Sequence, residues 1–501
     1  MGHGRRGGGA VSEGQPHRGN RQRSHGGNRQ RPDRVNRHGD QRGGRGQGKG
    51  RRLAVGTASR KVAYDVLRAV SSRDAYANLV LPERIVEAGL DQRDAALATE
   101  LTYGTLRATG LLDAIIDVVS DRPVDSLDAD VLDAVRLGAY QLLRTRIAPH
   151  AAVSATVGAT YGVLSQGQSG FVNALLRKIG HRSAEEWVER VAPRREDDPI
   201  GYLAMRYSHP KWITSAFRDA LGGELEAVES ALAADNERPV VHLAARPGRT
   251  ERDLLASQVG GTPGRYSPYA VYLQDGGDPA RLPAVRTGSA AVQDEGSQLA
   301  ALALANAPLD GPDETWVDLC AGPGGKAALL GALAAERGAR LTAIEPSEHR
   351  ARLVEQAVRG LPVEVVQADG REAPIADGSV DRLLVDAPCS GLGSLRRRPE
   401  SRWRRTPGDL PGLTKLQREL IAAGLRYLRP GGMLAYVTCS PHVAETRAQL
   451  RELDPEQTEL IDVRPMLDGV PDLGDGPAVQ LWPHLQGTDA MFISLIAKRS
   501  T

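Results

Sequence analysis

The chain has 501 residues, a formal net charge of +2 and 25% charged residues, a length that predicts about three domains. Its three cysteines form no Cys-x-x-Cys pair and no close Cys/His cluster, which argues against a disulfide-rich secreted domain and a structural zinc site. No apolar run approaches the ~18 residues that span a bilayer, and no apolar segment follows the basic N-terminus. We therefore expect a cytoplasmic, unexported protein without membrane or metal partners, whose thiols are free to react.

Residues 1–56 form a tail rich in arginine and glycine. Residues 1–52 hold 14 Arg or Lys against 3 Asp or Glu, so the whole basic excess of the chain lies there. The tail has almost no apolar residues to offset the entropy of ordering, which predicts disorder. Such segments bind RNA through phosphate charge and arginine stacking, so the tail is either a loosely specific RNA-binding arm or a solubilising extension.

Residues 57–182 show the spacing of amphipathic helices, as in Val62, Val66 and Val70, and strand signals are scarce. We expect a small all-α domain here, followed by a helical linker at residues 183–238. His209 precedes a proline at the start of a predicted helix in this linker. That position favours a turn or cap residue over a catalytic base.

Short β-like runs separated by Gly and Pro turns predict a small α+β module at residues 239–311. Residues 312–501 then alternate strand and helix signals, which predicts an α/β domain with a parallel sheet covered by helices. The strand candidates are residues 315–319, 340–344, 363–367, 380–385 and 433–437. Two further strands joined by a short loop are expected at residues 478–482 and 490–495.

A glycine-rich turn at residues 318–326 (Asp-Leu-Cys-Ala-Gly-Pro-Gly-Gly-Lys) lies where the first strand of this domain should pass into its first helix. Its glycines allow a tight turn and close approach to a nucleotide-like cofactor. A P-loop would need Gly at Cys320 and Ser or Thr at Ala327, and the dinucleotide fingerprint would need Gly at Ala327. Alone, such a turn can also simply close a strand-helix corner.

Acidic residues end the next three strands and strengthen the cofactor interpretation. Glu345 lies 20 residues past Gly325, the spacing at which a carboxylate accepts from ribose hydroxyls. Asp369 is placed to accept from an adenine amino group, although a helix cap is the alternative. Asp386 ends the fourth strand.

Cys389 and Cys439 each follow an apolar, β-rich run, which suggests that both thiols belong to one site. A methyl donor in the turn would explain the pair, because carbon 5 of cytosine accepts a methyl group only after a thiolate has added to carbon 6. A second group must then help to remove the carbon 5 proton and expel the sulfur. Lys326 is the candidate cation that lowers a thiol pKa. The alternative, two buried thiols acting as small apolar residues, fits their Pro, Thr and Ser neighbours poorly.

Six motifs together resemble the RNA 5-methylcytosine methyltransferases. They lie at residues 292–298, 318–326, 386–391, 438–441, 481–484 and 487–489. Residues 100–104 and 170–179 are similar to the NusB family of RNA-binding helical bundles, although Phe171, Leu175 and Leu176 would also suit a plain helix core. The resemblance covers about residues 57 to 498. Many members have a Glu-Asn pair where this chain has Glu445-Thr446.

The resemblance implies a multidomain protein with a NusB-like all-α bundle, the small α+β module and a Rossmann-like class I methyltransferase domain that closes with an antiparallel hairpin. It implies that Cys439 is the nucleophile, that Cys389 assists product release, and that Asp386 and Lys326 serve catalysis. The residues it assigns to S-adenosylmethionine are Cys320, Ala321, Gly322, Pro323, Gly324, Gly325, Lys326, Glu345, Arg350, Asp369 and Asp386. The expected partner is 16S ribosomal RNA or a small-subunit assembly intermediate, bound by a monomer.

Three other functions remain open at this point. A DNA cytosine-5 enzyme would use Cys389 as the nucleophile, but it would need neither a NusB-like domain nor a Thr-Cys-Ser motif. An RNA-binding assembly factor would retain the fold as a scaffold, but it would have no use for both thiols, the glycines and Lys326 together. A cytosine-5 methyltransferase acting on another RNA would share every motif named above.

Overall fold

The computed structural model describes residues 57–274 and 277–500. The predicted arginine- and glycine-rich tail lies outside the described residues, so its disorder and its RNA binding remain predictions. No helix within the described ranges is both long enough and apolar enough to cross a membrane.

The N-terminal domain is entirely helical. Its helices are α1 (Thr57–Arg73), α2 (Ala77–Glu87), α3 (Gln92–Val119), α4 (Ala129–Arg144), α5 (Pro149–Ala159) and α6 (Gln166–Ile179). Their apolar residues recur on one face and form a single buried cluster that includes Val62, Leu101 and Leu176. Asp91 caps α3, and Ser165 and Gln168 form a capping box at α6, which explains where these helices begin. The predicted all-α domain is confirmed.

Four helices connect this domain to the rest of the chain. They are α7 (Ala184–Val191), α8 (Pro199–Arg206), α9 (Lys211–Ala220) and α10 (Leu225–Ala234). His209 lies in the turn between α8 and α9, where its backbone N–H donates to the Ala204 carbonyl and its Nδ1 lies 2.8 Å from the Tyr207 carbonyl. The imidazole is fully buried, and burial lowers its pKa well below the ordinary value. His209 is therefore a neutral turn residue of the linker.

A small antiparallel sheet follows. Its elements are β1 (Val241–Ala245), α11 (Arg252–Val259), β2 (Gly261–Pro263), β3 (Ala270–Leu273), α12 (Pro283–Arg286) and β4 (Ala290–Val292). The strands lie in the order β2-β3-β1-β4. Helix α13 (Glu295–Asn306) then leads into the C-terminal domain, where its apolar residues join the core of the larger sheet.

The C-terminal domain alternates strands and helices as predicted. Its elements are β5 (Thr315–Asp318), α14 (Gly325–Glu336), β6 (Arg340–Ile344), α15 (Glu348–Ala357), β7 (Val363–Val366), β8 (Val380–Asp386), α16 (Ser401–Arg404), α17 (Leu410–Tyr427), β9 (Leu428–Thr438), α18 (Arg447–Leu450), β10 (Thr458–Ile461), β11 (Val479–Gln480), α19 (Pro483–Gln486) and β12 (Phe492–Lys498). The strand order is β10-β12-β9-β8-β5-β6-β7, with β11 paired to β12. Strands β7, β6, β5, β8 and β9 run parallel, and β12 runs antiparallel to β9.

This topology positions the candidate site. Strand β5 has β6 on one side and β8 on the other, so the strand order reverses there, and open α/β sheets bind ligands at the carboxyl ends of strands at such a point. The predicted Rossmann-like fold and the closing antiparallel pair, β11 with β12, are confirmed. Strand β10 was not predicted, because only one of its four residues is buried and its sequence lacks an alternating pattern.

Residues 395–405, which we call the arginine segment, fasten the C-terminal domain to the helices. Arg402 is completely buried. Its guanidinium donates to the carbonyl oxygens of Arg107, Ser208 and Asp235 and to Oδ1 of Asn236. Arg404 donates to the carbonyl oxygens of Val70 and Ala75. Because the arginine segment begins six residues after Cys389, these bonds tie the loop that carries this cysteine to the helical domain.

The burial of Arg402 makes a prediction about stability. Replacing it by Met should lower the free energy of unfolding by about 3 kcal/mol, because several buried acceptors lose their donor at once. Urea unfolding would measure this loss. The matched control is Arg405→Met, at an exposed position of the same segment, which should change stability by no more than about 0.5 kcal/mol. Equal effects of the two substitutions would contradict the anchoring role of Arg402.

Candidate active site

The glycine-rich turn joins β5 to α14 and comes close to two other elements. Gly324 has φ = +106°, a left-handed conformation that favours glycine, and a Cβ there would lie 2.6 Å from Cβ of Ala357. A Cβ on Gly322 would lie 2.2 Å from Oε2 of Glu345. Gly324 therefore requires glycine, whereas a side chain at Gly322 would displace the carboxylate of Glu345 or the guanidinium of Arg350; the backbone of the turn thus lies against the carboxylate at the end of β6.

Asp318 and Glu345 hold buried carboxylates beside this turn. Each is 1% exposed. Oδ1 of Asp318 accepts from the Cys320 N–H at 3.2 Å, whereas Oδ2 has no hydrogen-bond partner in the described part of the chain. Arg350 lies 3.4 Å from Glu345 and donates to the Gly322 carbonyl, so it fastens the turn to β6.

A further unpaired group, the amide Nε2 of Gln293, approaches the turn from the loop between β4 and α13. Buried polar atoms in folded proteins nearly always have a partner, so an unpaired carboxylate oxygen and an unpaired amide beside a glycine turn suit a polar ligand with both donors and acceptors. Burial and the charge of Asp318 raise the pKa of Cys320 well above its ordinary value. Cys320 is therefore a structural thiol of the turn.

Asp369 has a more local role than the other acidic residues. It accepts from the Arg371 N–H as the cap of a short 3₁₀ helix (Gly370–Glu372), and its side chain also pairs with the Arg371 guanidinium. The capping alternative is thus present in the structure. The carboxylate remains partly exposed at the end of β7, where it can accept a further hydrogen bond.

Asp386 and Lys326 form an ion pair at the centre of the site. Nζ of Lys326, on the first turn of α14, lies 2.8 Å from Oδ2 of Asp386 at the end of β8. Burial acts to lower the pKa of Lys326, but the charge of Asp386 and its hydrogen bond outweigh burial and raise it. Lys326 therefore remains a cation beside the two cysteine loops.

The structure brings Cys389 and Cys439 together. Strands β8 and β9 are parallel neighbours, with Asp386 paired to Val437, so the loops that follow them leave the sheet side by side. The two Sγ atoms lie 3.4 Å apart, within hydrogen-bond range for sulfur. Both thiols are neither fully buried nor fully exposed.

The surroundings make the two thiols unequal. The hydrogen bond with the Cys389 thiol lowers the pKa of Cys439; burial and the charge of Asp386 act against this shift, and the positive charge of Lys326 acts with it. The same hydrogen bond, burial and the negative charge of Glu445 raise the pKa of Cys389 well above its ordinary value. This arrangement favours ionisation of Cys439 over that of Cys389, within a contact in which either thiol can be the donor.

Glu445 holds the two loops together. Its carboxylate is completely buried. Oε1 accepts from the Ser390 N–H at 2.8 Å and from Nε2 of Gln417 at 3.2 Å, while Oε2 accepts from the hydroxyls of Ser390 and Ser440. Each serine directly follows one of the cysteines, so one carboxylate fixes the spacing of the thiols. We call these four residues the Glu445 clamp.

In the sequence, Glu445 stands out only as the first residue of Glu445-Thr446, where many RNA 5-methylcytosine methyltransferases have a Glu-Asn pair. A glutamate six residues after Cys439 has no local pattern that predicts a buried bridge. The one sequence feature that points to this bridge is the serine after each cysteine. A buried carboxylate requires several hydrogen-bond donors, and two serine hydroxyls near one site can supply them.

A second network closes the site from the small α+β module. Arg397 of the arginine segment pairs with Asp294, the cap of α13, and with Asp489 at 3.0 Å. His242 of β1 lies 3.1 Å from Asp294. Burial, partly opposed by Arg397, raises the pKa of Asp489 to about 6. The motifs at residues 292–298 and 487–489 thus meet through an arginine that sequence reasoning did not single out.

Comparisons with known proteins agree with this architecture. The family model described as 16S rRNA methyltransferase RsmB/F matches residues 305–497, and that of the NusB family matches residues 57–181. The Mycobacterium tuberculosis protein named "Putative methyltransferase Rv1407" is 54% identical over 442 residues, which cover 88% of this chain and 96% of that protein. "Ribosomal RNA small subunit methyltransferase B" of Pseudomonas putida is 34% identical over 391 residues, covering 76% of this chain and 85% of the relative.

Among solved structures, the crystal structure of PH0851 aligns with a TM-score of 0.74 at 22% identity. The alignment covers 88% of this chain and 99% of that one. At this identity the likeness shows a shared fold.

The Glu445 clamp predicts that a neutral amide will not replace the carboxylate. In Glu445→Gln, one acceptor oxygen is replaced by an NH₂ group that faces the donors of Ser390, Ser440 or Gln417, so the free energy of unfolding should fall by about 2 kcal/mol. Because the two loops are then held less firmly, iodoacetamide should alkylate Cys389 and Cys439 faster. Urea unfolding and mass spectrometry of the labelled peptides measure the two effects. The control is Glu452→Gln at an exposed position, and an unchanged alkylation rate in Glu445→Gln would contradict the clamp.

Asp318 predicts a pH dependence. Burial and repulsion by Asp386 raise its pKa from 3.8 to about 7, so the folded chain keeps a proton that the unfolded chain releases. The contribution of Asp318 to the free energy of unfolding is therefore greatest below about pH 4, and it is lost progressively as the pH rises through about 7. Relative to the parent, Asp318→Asn should gain about 2 to 3 kcal/mol between about pH 5 and pH 8.

Urea unfolding of the ligand-free chain at both pH values measures this gain. The exposed Asp468→Asn variant serves as the control and should keep the same difference from the parent at both pH values. A flat difference for Asp318→Asn as well would show that Asp318 is already ionised in the folded chain.

Proposed function

The chain belongs to the RsmB/F family of 16S rRNA methyltransferases, and we propose that it transfers a methyl group from S-adenosylmethionine to carbon 5 of a cytosine in 16S ribosomal RNA. That the chain is an S-adenosylmethionine-dependent RNA methyltransferase follows from its family, because the members of that family are such enzymes. The target base, the target RNA and the covalent mechanism are the proposal. The observation that carries it is the pair of thiols 3.4 Å apart at the ends of adjacent strands, beside the ion pair of Lys326 and Asp386.

The glycine turn and its acidic neighbours suit S-adenosylmethionine. Gly322 and Gly324 allow close approach, Glu345 is placed for ribose hydroxyls, and Asp369 and the unpaired Gln293 amide offer complementary polar groups. Cys320, Ala321, Pro323, Gly325, Arg350 and Asp386 complete the proposed set. When bound, this cofactor supplies an electrophilic methyl group.

The reaction on cytosine begins at Cys439. Its thiolate adds to carbon 6, which forms an S–C6 bond and shifts electron density to carbon 5, where the methyl group is accepted. Lys326 favours the thiolate by its charge. Asp386 is placed to hydrogen-bond the amino group of the base. Because Asp386 is held by Lys326, this ion pair fixes the carboxylate that orients the base.

Product release needs two events. The carbon 5 proton must leave, and its electron pair must expel Cys439 as the S–C6 bond breaks. We assign assistance in this step to Cys389. Its sulfur lies beside that of Cys439, and the hydrogen bond between the thiols, burial and Glu445 disfavour its ionisation, so it stays a thiol while Cys439 attacks. As the S–C6 bond breaks, the Cys389 thiol gives its proton to the departing sulfur of Cys439, and the Cys389 thiolate so formed takes the carbon 5 proton.

The Thr438-Cys439-Ser440 motif favours this assignment over the DNA-enzyme alternative, in which Cys389 would attack. The NusB-family match at residues 57–181 supports an RNA substrate. The expected partner is therefore 16S ribosomal RNA, free or within an assembly intermediate.

The function is tested by incubating the chain with labelled S-adenosylmethionine and small-subunit ribosomal RNA, digesting the RNA and identifying the labelled nucleoside. We expect 5-methylcytidine at a single position in 16S RNA. Label in another nucleoside would refute the cytosine-5 assignment, and label confined to a different RNA would refute the 16S target.

The cysteine roles predict opposite variant phenotypes. Cys439→Ala should abolish methylation without leaving an adduct, because no S–C6 bond can form. Cys389→Ala should form the bond and release it slowly, so a covalent protein-RNA complex should accumulate on denaturing gels. The double variant, as the control, should show neither activity nor adduct. An adduct in Cys439→Ala and none in Cys389→Ala would reverse the two roles.

A further inference from the structure

A crevice that the catalytic assignment does not use separates the N-terminal helical domain from the linker helices. It has a volume of about 360 Å³ and is lined by residues of α3, α4, α7 and α8 and by residues in and just after α10. This volume lies in the usual range of ligand sites. The catalytic cysteines and the glycine turn are not among its lining residues.

Four arginines face this crevice. They are Arg107, Arg144, Arg206 and Arg238. The acidic residues that line it are Glu100 and Glu185, and Glu100 already accepts a 2.6 Å hydrogen bond from the hydroxyl of Tyr140. The lining is therefore positive overall.

Arg107 is the most informative of the four. It is 8% exposed, yet within residues 57–274 and 277–500 no carboxylate lies within ion-pair distance of it. Its Nη2 donates to the carbonyl of Arg396 at 3.2 Å, its guanidinium lies over the ring of Tyr103 with 5.6 Å to the ring centroid, and its Nε has no hydrogen-bond partner among the described residues. A buried guanidinium is costly unless an anion accompanies it. The charge of Glu100 acts on Arg107 without a direct ion pair, and burial still lowers the pKa of Arg107, so a further anion in the crevice would stabilise this side chain.

Two of the other arginines, Arg144 and Arg238, are exposed and can contact a ligand in the crevice. Arg144 and Arg238 form no ion pair with any carboxylate in the described part of the chain, and both are exposed. Arg206 lies 4.0 Å from Glu229 and stacks over the ring of Tyr207. Planar guanidinium groups beside one buried, unpaired guanidinium match the fork geometry that binds phosphate oxygens.

We propose that this crevice binds phosphate groups of the substrate RNA strand. This proposal rests on the proposed function for the identity of the strand, whereas the phosphate chemistry rests on the crevice itself. The carbonyl that accepts from Arg107 belongs to Arg396, in the arginine segment that follows the Cys389 loop. RNA held in the crevice would therefore contact Arg107. This side chain is hydrogen-bonded to the arginine segment, which connects the helical domain to the Cys389 loop.

The test measures binding of a fluorescein-labelled small-subunit ribosomal RNA fragment by anisotropy at several NaCl concentrations. Arg144→Gln and Arg238→Gln should each weaken binding and reduce the slope of log K against log salt concentration by about 1, because each removes one phosphate contact. The matched control is Arg177→Gln, an exposed arginine of α6 that does not line the crevice. The full chain is used, so the tail contributes equally to every variant.

If the salt-dependence slopes of Arg144→Gln and Arg238→Gln both equalled that of the parent, the proposal that the crevice binds phosphate would be refuted. A free nucleotide is the other source of phosphate, and adenosine monophosphate and inorganic phosphate are the probes for it. Saturable binding of adenosine monophosphate that is lost in Arg144→Gln, with RNA binding unchanged, would overturn the assignment to RNA.

Methyl transfer separates this proposal from the proposed function. With saturating RNA, the single-turnover rate of both crevice variants should equal that of the parent, while KM rises. The salt slopes need no turnover, so a parent chain that fails to methylate 16S RNA but shows crevice-dependent slopes would refute the function and leave the crevice standing.

Discussion

The active-site geometry depends on one buried carboxylate. Glu445 has no exposed surface, and among the described residues no Arg or Lys lies within ion-pair distance of it. Hydrogen bonds from Ser390, Ser440 and Gln417 take the place of a counter-ion. A buried carboxylate costs several kcal/mol when its hydrogen bonds are lost. If the loops after β8 and β9 separated, the buried carboxylate of Glu445 would lose hydrogen bonds from one of them. This energetic cost keeps the two thiols in contact.

The same carboxylate also makes the thiols chemically different. Glu445 acts on Cys389 and disfavours its ionisation, whereas Cys439 is subject to the opposing charges of Asp386, which disfavours its ionisation, and Lys326, which favours it. Two cysteines at the ends of neighbouring parallel strands would otherwise be nearly equivalent. The proposed division of labour between attack and release rests on this difference; Glu445 is held by the serines that follow the two cysteines, and Lys326 is held by Asp386.

Sequence reasoning succeeded where the signal was local. The periodicity of α1 to α6, the alternation of β5 to β9 with helices, and the turn with Gly322 and Gly324 all arise from residues close together in the chain. It missed contacts between distant segments. Arg402 bonds to carbonyls that lie 295 residues away at Arg107 and 167 away at Asp235, and no spacing rule indicates which of several neighbouring arginines is buried. Glu445 was missed for a related reason, because its donors come from three different segments.

The central claim is that Cys439 forms the bond to cytosine, and one measurement tests it directly. RNA that carries 5-fluorocytidine at the target position cannot lose the carbon 5 substituent as a proton, so the S–C6 adduct should persist after methyl transfer. Protease and nuclease digestion followed by tandem mass spectrometry would identify the modified peptide. The account predicts a nucleotide on the peptide that contains Cys439 and none on the peptide that contains Cys389. A nucleotide on Cys389 would contradict it.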